Sequence, residues 1–174
     1  MNKVKQERLI KRAMEIQDLW TFGGFMIGLT IVFAPVHELG HIIVGTLQGQ
    51  KVIMAGWASV KFDGNVNLWT AIAGYLFEHY VFITIASIGC IKWRKWGWFA
   101  YGIALTPLIQ WWFSFDRSIL GELTLLGDMV CGIMFVIGIL VHRSIMFQYN
   151  PKLMKVLLHR RYGRIAGWQK DLKI

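Results

Sequence analysis

The sequence predicts an all-α, polytopic membrane protein with about four transmembrane helices, a short outer β-hairpin and a C-terminal amphipathic helix. Of its 174 residues, 55% are hydrophobic and only 17% are charged, and the charges are clustered between long apolar stretches. A soluble domain has about a quarter of its residues charged. This composition excludes a disulfide-rich secreted scaffold, a disordered chain and an ordinary water-soluble enzyme.

Four apolar stretches are long enough to cross a bilayer core, which requires about 20 helical residues. These predicted spans cover about residues 19–47, 68–91, 96–115 and 123–141. Pro107 predicts a kink in the third span. The predicted organisation is a basic tail over 1–18, a membrane domain over 19–142 and a basic membrane-surface tail over 143–174.

The basic residues indicate the orientation of these spans. The two tails and the loop over 92–95 hold 16 of the 19 Lys and Arg residues, and the other side holds Lys51, Lys61 and Arg117. Because cytoplasmic loops of membrane proteins carry an excess of Lys and Arg, both termini are predicted to be cytoplasmic. Membrane orientation explains the net charge of +9. A nucleic-acid-binding role is not predicted, because no motif for it accompanies the basic residues.

Two segments outside the predicted spans have their own patterns. Asp63-Gly64, between Val60–Phe62 and Asn65–Asn67, predicts a short β-hairpin on the outer side. This hairpin is either a connecting cap or an edge that accepts an extended substrate by strand addition. Residues 151–173 place Leu, Val and Tyr among Lys and Arg, which favours an amphipathic surface helix.

The most informative motif is His37-Glu38-Leu39-Gly40-His41, in the first predicted span. Helical residues four apart lie on one face, so both imidazoles can bind one metal ion. Zinc in a catalytic site takes three protein ligands and keeps one open position, where the pKa of water falls to about 7. Glu38 is placed to accept the proton of that water and to pass it to a leaving amine.

The apolar surroundings strengthen this interpretation. A charged side chain within a span costs about 2.5–3.5 kcal/mol on insertion scales, and a bound metal offsets such a cost. Two alternatives remain for the motif. One is an interhelical polar cluster without metal, and the other is a haem or other non-hydrolytic metal site, which has no need of Glu38.

The chain resembles the site-2 protease family of intramembrane zinc metalloproteases, as a divergent, minimal member. The resemblance rests on the His37–His41 motif, on Ala73-Gly74-Tyr75-Leu76 and on Asp128 in a later span. It covers about residues 20–142. Tyr75 stands where the family usually has Pro, and Leu125-Leu126-Gly127-Asp128-Met129 replaces the usual Asn-Pro…Leu-Asp-Gly context.

The resemblance implies that an aspartate from a following helix completes the zinc site. Asp128 is the sole acid of the fourth predicted span, and its depth matches that of His37, so we expect it to be the third ligand. Glu78 and His79 are the alternatives for that role or for orienting a ligand. Asp116 and Glu122 are expected to be solvated loop residues.

The sequence thus predicts a multi-pass, zinc-dependent endopeptidase with metal ligands His37, His41 and Asp128 and with Glu38 as general base. Its substrate would be a membrane-embedded or membrane-adjacent peptide. The main alternative is a non-catalytic membrane protein, such as a pseudoprotease, chaperone or regulator, that retains the metal site. A lipid-modifying metal enzyme and a transporter are less consistent with the pattern, since four short spans leave little room for inverted repeats.

Overall fold

The computed structural model describes residues 3–29, 33–57, 59–92 and 95–149. Within these ranges the chain is mainly helical, with one small antiparallel sheet. The helices are α1 (Lys3–Ile27), α2 (Phe33–Leu47), α3 (Leu68–Lys92), α4 (Lys95–Ala104), α5 (Thr106–Gln110), α6 (Phe115–Ser118) and α7 (Thr124–Tyr149), and the strands are β1 (Val52–Ala55) and β2 (Val60–Phe62). The predicted helical class with a short hairpin is confirmed.

Helix α3 lies at the centre of the fold. It packs against α2, α4 and α7, and α1 packs against α4. The main apolar core lies where α3 and α7 meet the segment that connects α5 to α7. Its buried members are Leu68, Ala71, Ile72, Tyr75, Trp111, Leu120, Cys131 and Phe135. This core lies directly beside the polar cluster described below, because Tyr75 belongs to both.

The first and third predicted spans each contain more than one helix. The first contains the end of α1 and all of α2, which lie on either side of residues 30–32 and pack against different helices. The third contains α4 and α5, followed by a single 3-10 turn at Trp111–Phe113. Helix α4 ends at Ala104 and Pro107 lies in the first turn of α5, so the helix is interrupted next to the residue at which the kink was predicted.

Among the described residues, two helices are long and apolar enough to cross a membrane. They cover Leu68–Ile91 and Gly121–Tyr149 and correspond to the second and fourth predicted spans. The count of four spans and the cytoplasmic termini remain predictions. The predicted amphipathic helix over 151–173 lies outside the described residues.

The hairpin pairs Val52 with Phe62 and Ala55 with Val60 in antiparallel register. The hairpin turn lies at Gly56–Ser59, where the N–H of Gly56 donates to the carbonyl of Ser59. The predicted turn at Asp63-Gly64 is wrong, and Asn65–Asn67 is not a strand, because Val60–Phe62 pairs with Val52–Ala55 instead. Gly64 instead has a φ of +93°, a left-handed conformation that favours glycine, in the bend leading to α3.

Candidate metal centre

Helix α2 places two imidazoles on one face, one turn apart. The Nε2 atoms of His37 and His41 are 2.8 Å apart. Both side chains are buried, with 2% and 6% of their surface exposed. The spacing predicted from the sequence therefore brings two nitrogen donors together inside the protein.

A carboxylate from a distant part of the chain completes the cluster. Oδ2 of Asp116 lies 3.5 Å from Nε2 of His37 and 3.5 Å from Nε2 of His41. One potential ligand atom from each of the three residues lies within 4.8 Å of the others, so the group can hold a metal ion. Two imidazole nitrogens and a carboxylate oxygen suit zinc and several other divalent metals.

Asp116 is presented by a single helical turn. Ser114 precedes α6, and its Oγ accepts a hydrogen bond from the backbone N–H of Arg117 at 3.1 Å, which is the usual role of a serine N-cap. Burial opposes ionisation of Asp116, but hydrogen bonds and charge interactions with His37 and His41 prevail and hold its pKa below the usual range. This lowering of the pKa favours the ionised carboxylate that a metal ligand requires.

Neighbouring groups orient these donors. Nδ1 of His41 lies 2.6 Å from the carbonyl oxygen of Thr70, and because that oxygen can only accept, Nδ1 carries the proton. When this imidazole is neutral, its lone pair is therefore on Nε2, the atom that faces the other two donors. The hydroxyl of Tyr75 donates to Oδ2 of Asp116 at 3.1 Å, and its ring packs edge-on against His37.

Two glycines allow α2 and α3 to approach closely enough to form this site. A Cβ atom on Gly40 would lie 2.7 Å from the carbonyl oxygen of Ala73 and 2.9 Å from Cα of Gly74. A Cβ atom on Gly74 would lie 2.5 Å from Nε2 of His41 and 2.7 Å from Nε2 of His37. Any side chain at Gly74 would thus occupy space beside the two donor atoms.

Glu38, the predicted general base, lies between the two histidines in sequence and is half-buried. It does not belong to the three-residue cluster itself. This leaves its carboxylate available for a role other than binding the metal.

The structure brings Asp116, rather than Asp128, to the histidines. Asp128, in the first turns of α7, accepts hydrogen bonds from Nε and Nη2 of Arg117 at 2.8 and 2.9 Å and from Nε1 of Trp111 at 2.8 Å. Its carboxylate thus forms a salt bridge with Arg117, which also raises the pKa of Arg117.

The expectation that Asp116 is merely a solvated loop residue is wrong, because its carboxylate contacts both imidazoles. Glu122 is exposed, as predicted.

The two alternative ligands, Glu78 and His79, have other hydrogen-bond partners. Glu78 is fully buried; its Oε1 accepts from the hydroxyl of Thr106 at 3.1 Å and its Oε2 lies 3.8 Å from Nδ1 of His37. His79 donates from Nδ1 to the carbonyl of Ala104 at 2.6 Å. Neither belongs to the three-residue cluster.

The N-cap pattern Ser114-Phe-Asp116 was the sequence signal that could have identified Asp116 as part of an ordered turn.

The fold and the site define a helical protein, with two helices long and apolar enough to span a membrane, whose His/His/Asp cluster of two buried imidazoles and a partly exposed carboxylate can hold a metal ion. Comparison with protein-family models, curated proteins and solved structures finds no match for this chain. The resemblance to the site-2 protease family therefore remains a prediction from the sequence motifs.

Proposed function

We propose that this chain is a membrane-embedded, zinc-dependent endopeptidase in which His37, His41 and Asp116 hold the metal and Glu38 is the general base. The observation that carries this proposal is the convergence of Asp116 on both histidines of the motif. An HExxH sequence alone arises often by chance. A third potential ligand at the same point is the feature that a metal site requires.

The separations of the donor atoms are compatible with zinc. Zinc–ligand bonds of about 2.0–2.2 Å place neighbouring tetrahedral ligands about 3.3–3.6 Å apart. Both histidine-to-aspartate separations are 3.5 Å, whereas the two Nε2 atoms, at 2.8 Å, would need to separate by about 0.5 Å or more to hold zinc. Three protein ligands leave the fourth position for substrate or water, as in catalytic rather than structural zinc sites.

The metal and Glu38 have different roles in the proposed hydrolysis. A bound zinc ion supplies Lewis-acid polarisation of a carbonyl group and acidifies water. Glu38 accepts a proton from the attacking water on its carboxylate and returns it to the leaving amine nitrogen. A binding-only site has no need of a carboxylate at this position, which favours hydrolysis over a purely structural metal.

The proposed location is a membrane, with several spans and both termini in the cytoplasm. Two helices with the required length and composition support it, and so do the large apolar side chains exposed along α7. The substrate proposed for such a site is a membrane-embedded or membrane-adjacent peptide. Its helix must unwind locally, because a peptidase needs access to the backbone carbonyl.

The test compares the full-length wild type with Glu38→Gln, both reconstituted in liposomes with a panel of labelled single-span peptides. Glu38→Gln should bind zinc as the wild type does but cleave about 10²–10⁴-fold more slowly, the usual contribution of a general base. Cleavage products are detected by mass spectrometry, with the exposed Glu122→Gln as the matched control. Equal cleavage by the wild type and Glu38→Gln would contradict the assignment of the base.

The alternative function is a non-catalytic membrane protein that retains the metal site. It predicts bound zinc with no cleavage by the wild type across the peptide panel, and no difference between the wild type and Glu38→Gln. The same two measurements, zinc content and product formation, therefore separate the two functions.

A further inference from the structure

We propose that Asp128 is a positioning residue: through Arg117 and Trp111 it holds the Asp116 turn against the two histidines. This inference rests on the proposed metal centre at His37, His41 and Asp116. It gives Asp128 a role in metal binding without making it a ligand. The group formed by Asp128, Arg117 and Trp111 is called the clasp below.

The first link of the clasp is the side-chain pair between Asp128 and Arg117, the residue that follows Asp116 in the chain. Asp128 receives two parallel hydrogen bonds from the guanidinium of Arg117, at 2.8 and 2.9 Å. Such bidentate pairs fix orientation as well as distance. Arg117 directly follows Asp116 in α6, so this pair attaches the turn that carries the ligand to the first turns of the long helix α7.

The second link runs through the core. Nε1 of Trp111 donates to Oδ1 of Asp128 at 2.8 Å. The ring of Trp111 packs edge-on against Tyr75, at 5.2 Å between centroids, and the hydroxyl of Tyr75 donates to Oδ2 of Asp116 at 3.1 Å. Two separate chains of contacts therefore connect Asp128 to the same ligand.

The Asp116 turn needs such support because it has little of its own. Helix α6 has four residues, and a single helical turn is not stable in isolation. Within the turn Phe115 is 78% exposed, and Phe113 just before it is 87% exposed. The apolar residues that attach this segment to the core, Trp111 and Leu120, lie outside the turn, so polar contacts fix the position of Asp116 itself.

Substitution of Arg117 gives the most discriminating test, because an electrostatic role and a positioning role predict opposite changes in metal affinity. A cation next to a metal ligand repels a divalent cation, so on electrostatic grounds alone Arg117→Gln would strengthen metal binding. If the clasp positions Asp116, the same change weakens binding. The sign of the effect therefore distinguishes the two explanations.

The experiment measures the affinity of the full-length protein in detergent for Co²⁺, by titration followed in the visible spectrum. Asp128→Asn and Arg117→Gln should each weaken binding by about 10–100-fold, the usual effect of disturbing groups that orient ligands. The double variant should be no weaker than Asp128→Asn alone, because Asp128→Asn already disturbs the contact with Arg117. Asp128→Glu keeps the acceptor pair and should recover most of the affinity, and Glu122→Gln, an exposed acid of the same connection, should bind as the wild type does.

Two results would overturn the proposal. Unchanged or tighter binding by Arg117→Gln excludes positioning through that residue. Full binding by Asp116→Asn, together with loss in Asp128→Asn, makes Asp128 the ligand instead.

A metal-free measurement separates this proposal from the proposed function. Amide hydrogen exchange over residues 114–120 of the metal-free protein should be faster in Asp128→Asn and Arg117→Gln than in the wild type and Glu122→Gln. If the wild type binds no Co²⁺, the metal centre fails, and this exchange still decides whether the clasp holds the turn. Equal exchange in all four proteins would overturn the clasp whatever the metal result.

Discussion

The two long apolar helices have similar compositions but different surroundings. In the most apolar stretch of α3, 56% of the residues are buried, against 22% in α7. Helix α3 buries the polar side chains of Thr70, Glu78, His79 and Ser87. Helix α7 packs on α3 along one face and leaves large apolar side chains exposed on the other, among them Leu125, Met129, Ile133, Val136 and Leu140.

This difference shows what each helix contributes. Helix α3 is the inner helix, and it forms one wall of the candidate metal centre through Thr70, Gly74 and Tyr75. Helix α7 is the outer helix, and its exposed apolar face is suited to contact with lipid rather than water. Substitutions on the two helices should therefore act on different properties of the protein.

The largest effect is expected on the inner helix, from Gly74→Ala. Its Cβ atom would lie 2.5–2.7 Å from Nε2 of both histidines, so the imidazoles or the whole of α2 must move. Zinc affinity should fall by more than about 100-fold, beyond the usual cost of a change in the surroundings of a ligand. The matched control is Gly132→Ala on α7, where an added Cβ meets nothing within 4 Å. Equal zinc affinity in both variants would contradict the close packing of α2 on α3.

A charge on the outer face of α7 should have the next largest effect. Ile133 is 57% exposed, and in a bilayer Ile133→Arg should cost about 2.5–3.5 kcal/mol of insertion free energy near mid-membrane. On a surface in contact with water the same change is usually within about 0.5 kcal/mol. Insertion is measured by glycosylation-site reporters in microsomes, with Ile133→Leu as the control. Insertion of Ile133→Arg equal to that of Ile133→Leu would exclude a lipid-facing α7.

A smaller effect is expected where the two helices meet. A Cβ atom on Gly138 of α7 would collide with the ring of His79 on α3. Gly138→Ala should therefore lower the free energy of unfolding by about 1–3 kcal/mol, the usual cost of overpacking. Gly132→Ala, on the open side of the same helix, should leave it unchanged or raise it by up to about 1 kcal/mol. Denaturant unfolding in micelles measures both, and an equal loss in the two variants would contradict the packing of α7 on α3.

Local patterns in the sequence were sufficient for part of the fold. The i, i+4 spacing of His37 and His41 follows from helix geometry, and the helix break near Pro107 follows from its missing N–H. The hairpin was also predicted from the sequence, although its turn lies at Gly56–Ser59 instead of Asp63-Gly64. Each of these features depends on residues close together in the chain.

The identity of the third cluster member depends on distant contacts. Asp116 and Asp128 are both acids near the ends of apolar segments, and the depth predicted from the sequence favoured Asp128. The structure distinguishes them by partner: Arg117 pairs with Asp128, while Tyr75 and the imidazoles contact Asp116. A pairing between neighbouring elements of this kind cannot be read from spacing, because it depends on how α6 and α7 pack together.

The most direct test of the metal centre is the zinc content of the purified full-length protein, measured by mass spectrometry beside the double variant His37→Ala/His41→Ala. We expect one zinc ion per chain in the wild type and almost none in the double variant, with Gly132→Ala retaining the wild-type content. A wild type without zinc after growth and purification in its presence, or a double variant that retains it, would contradict the metal centre.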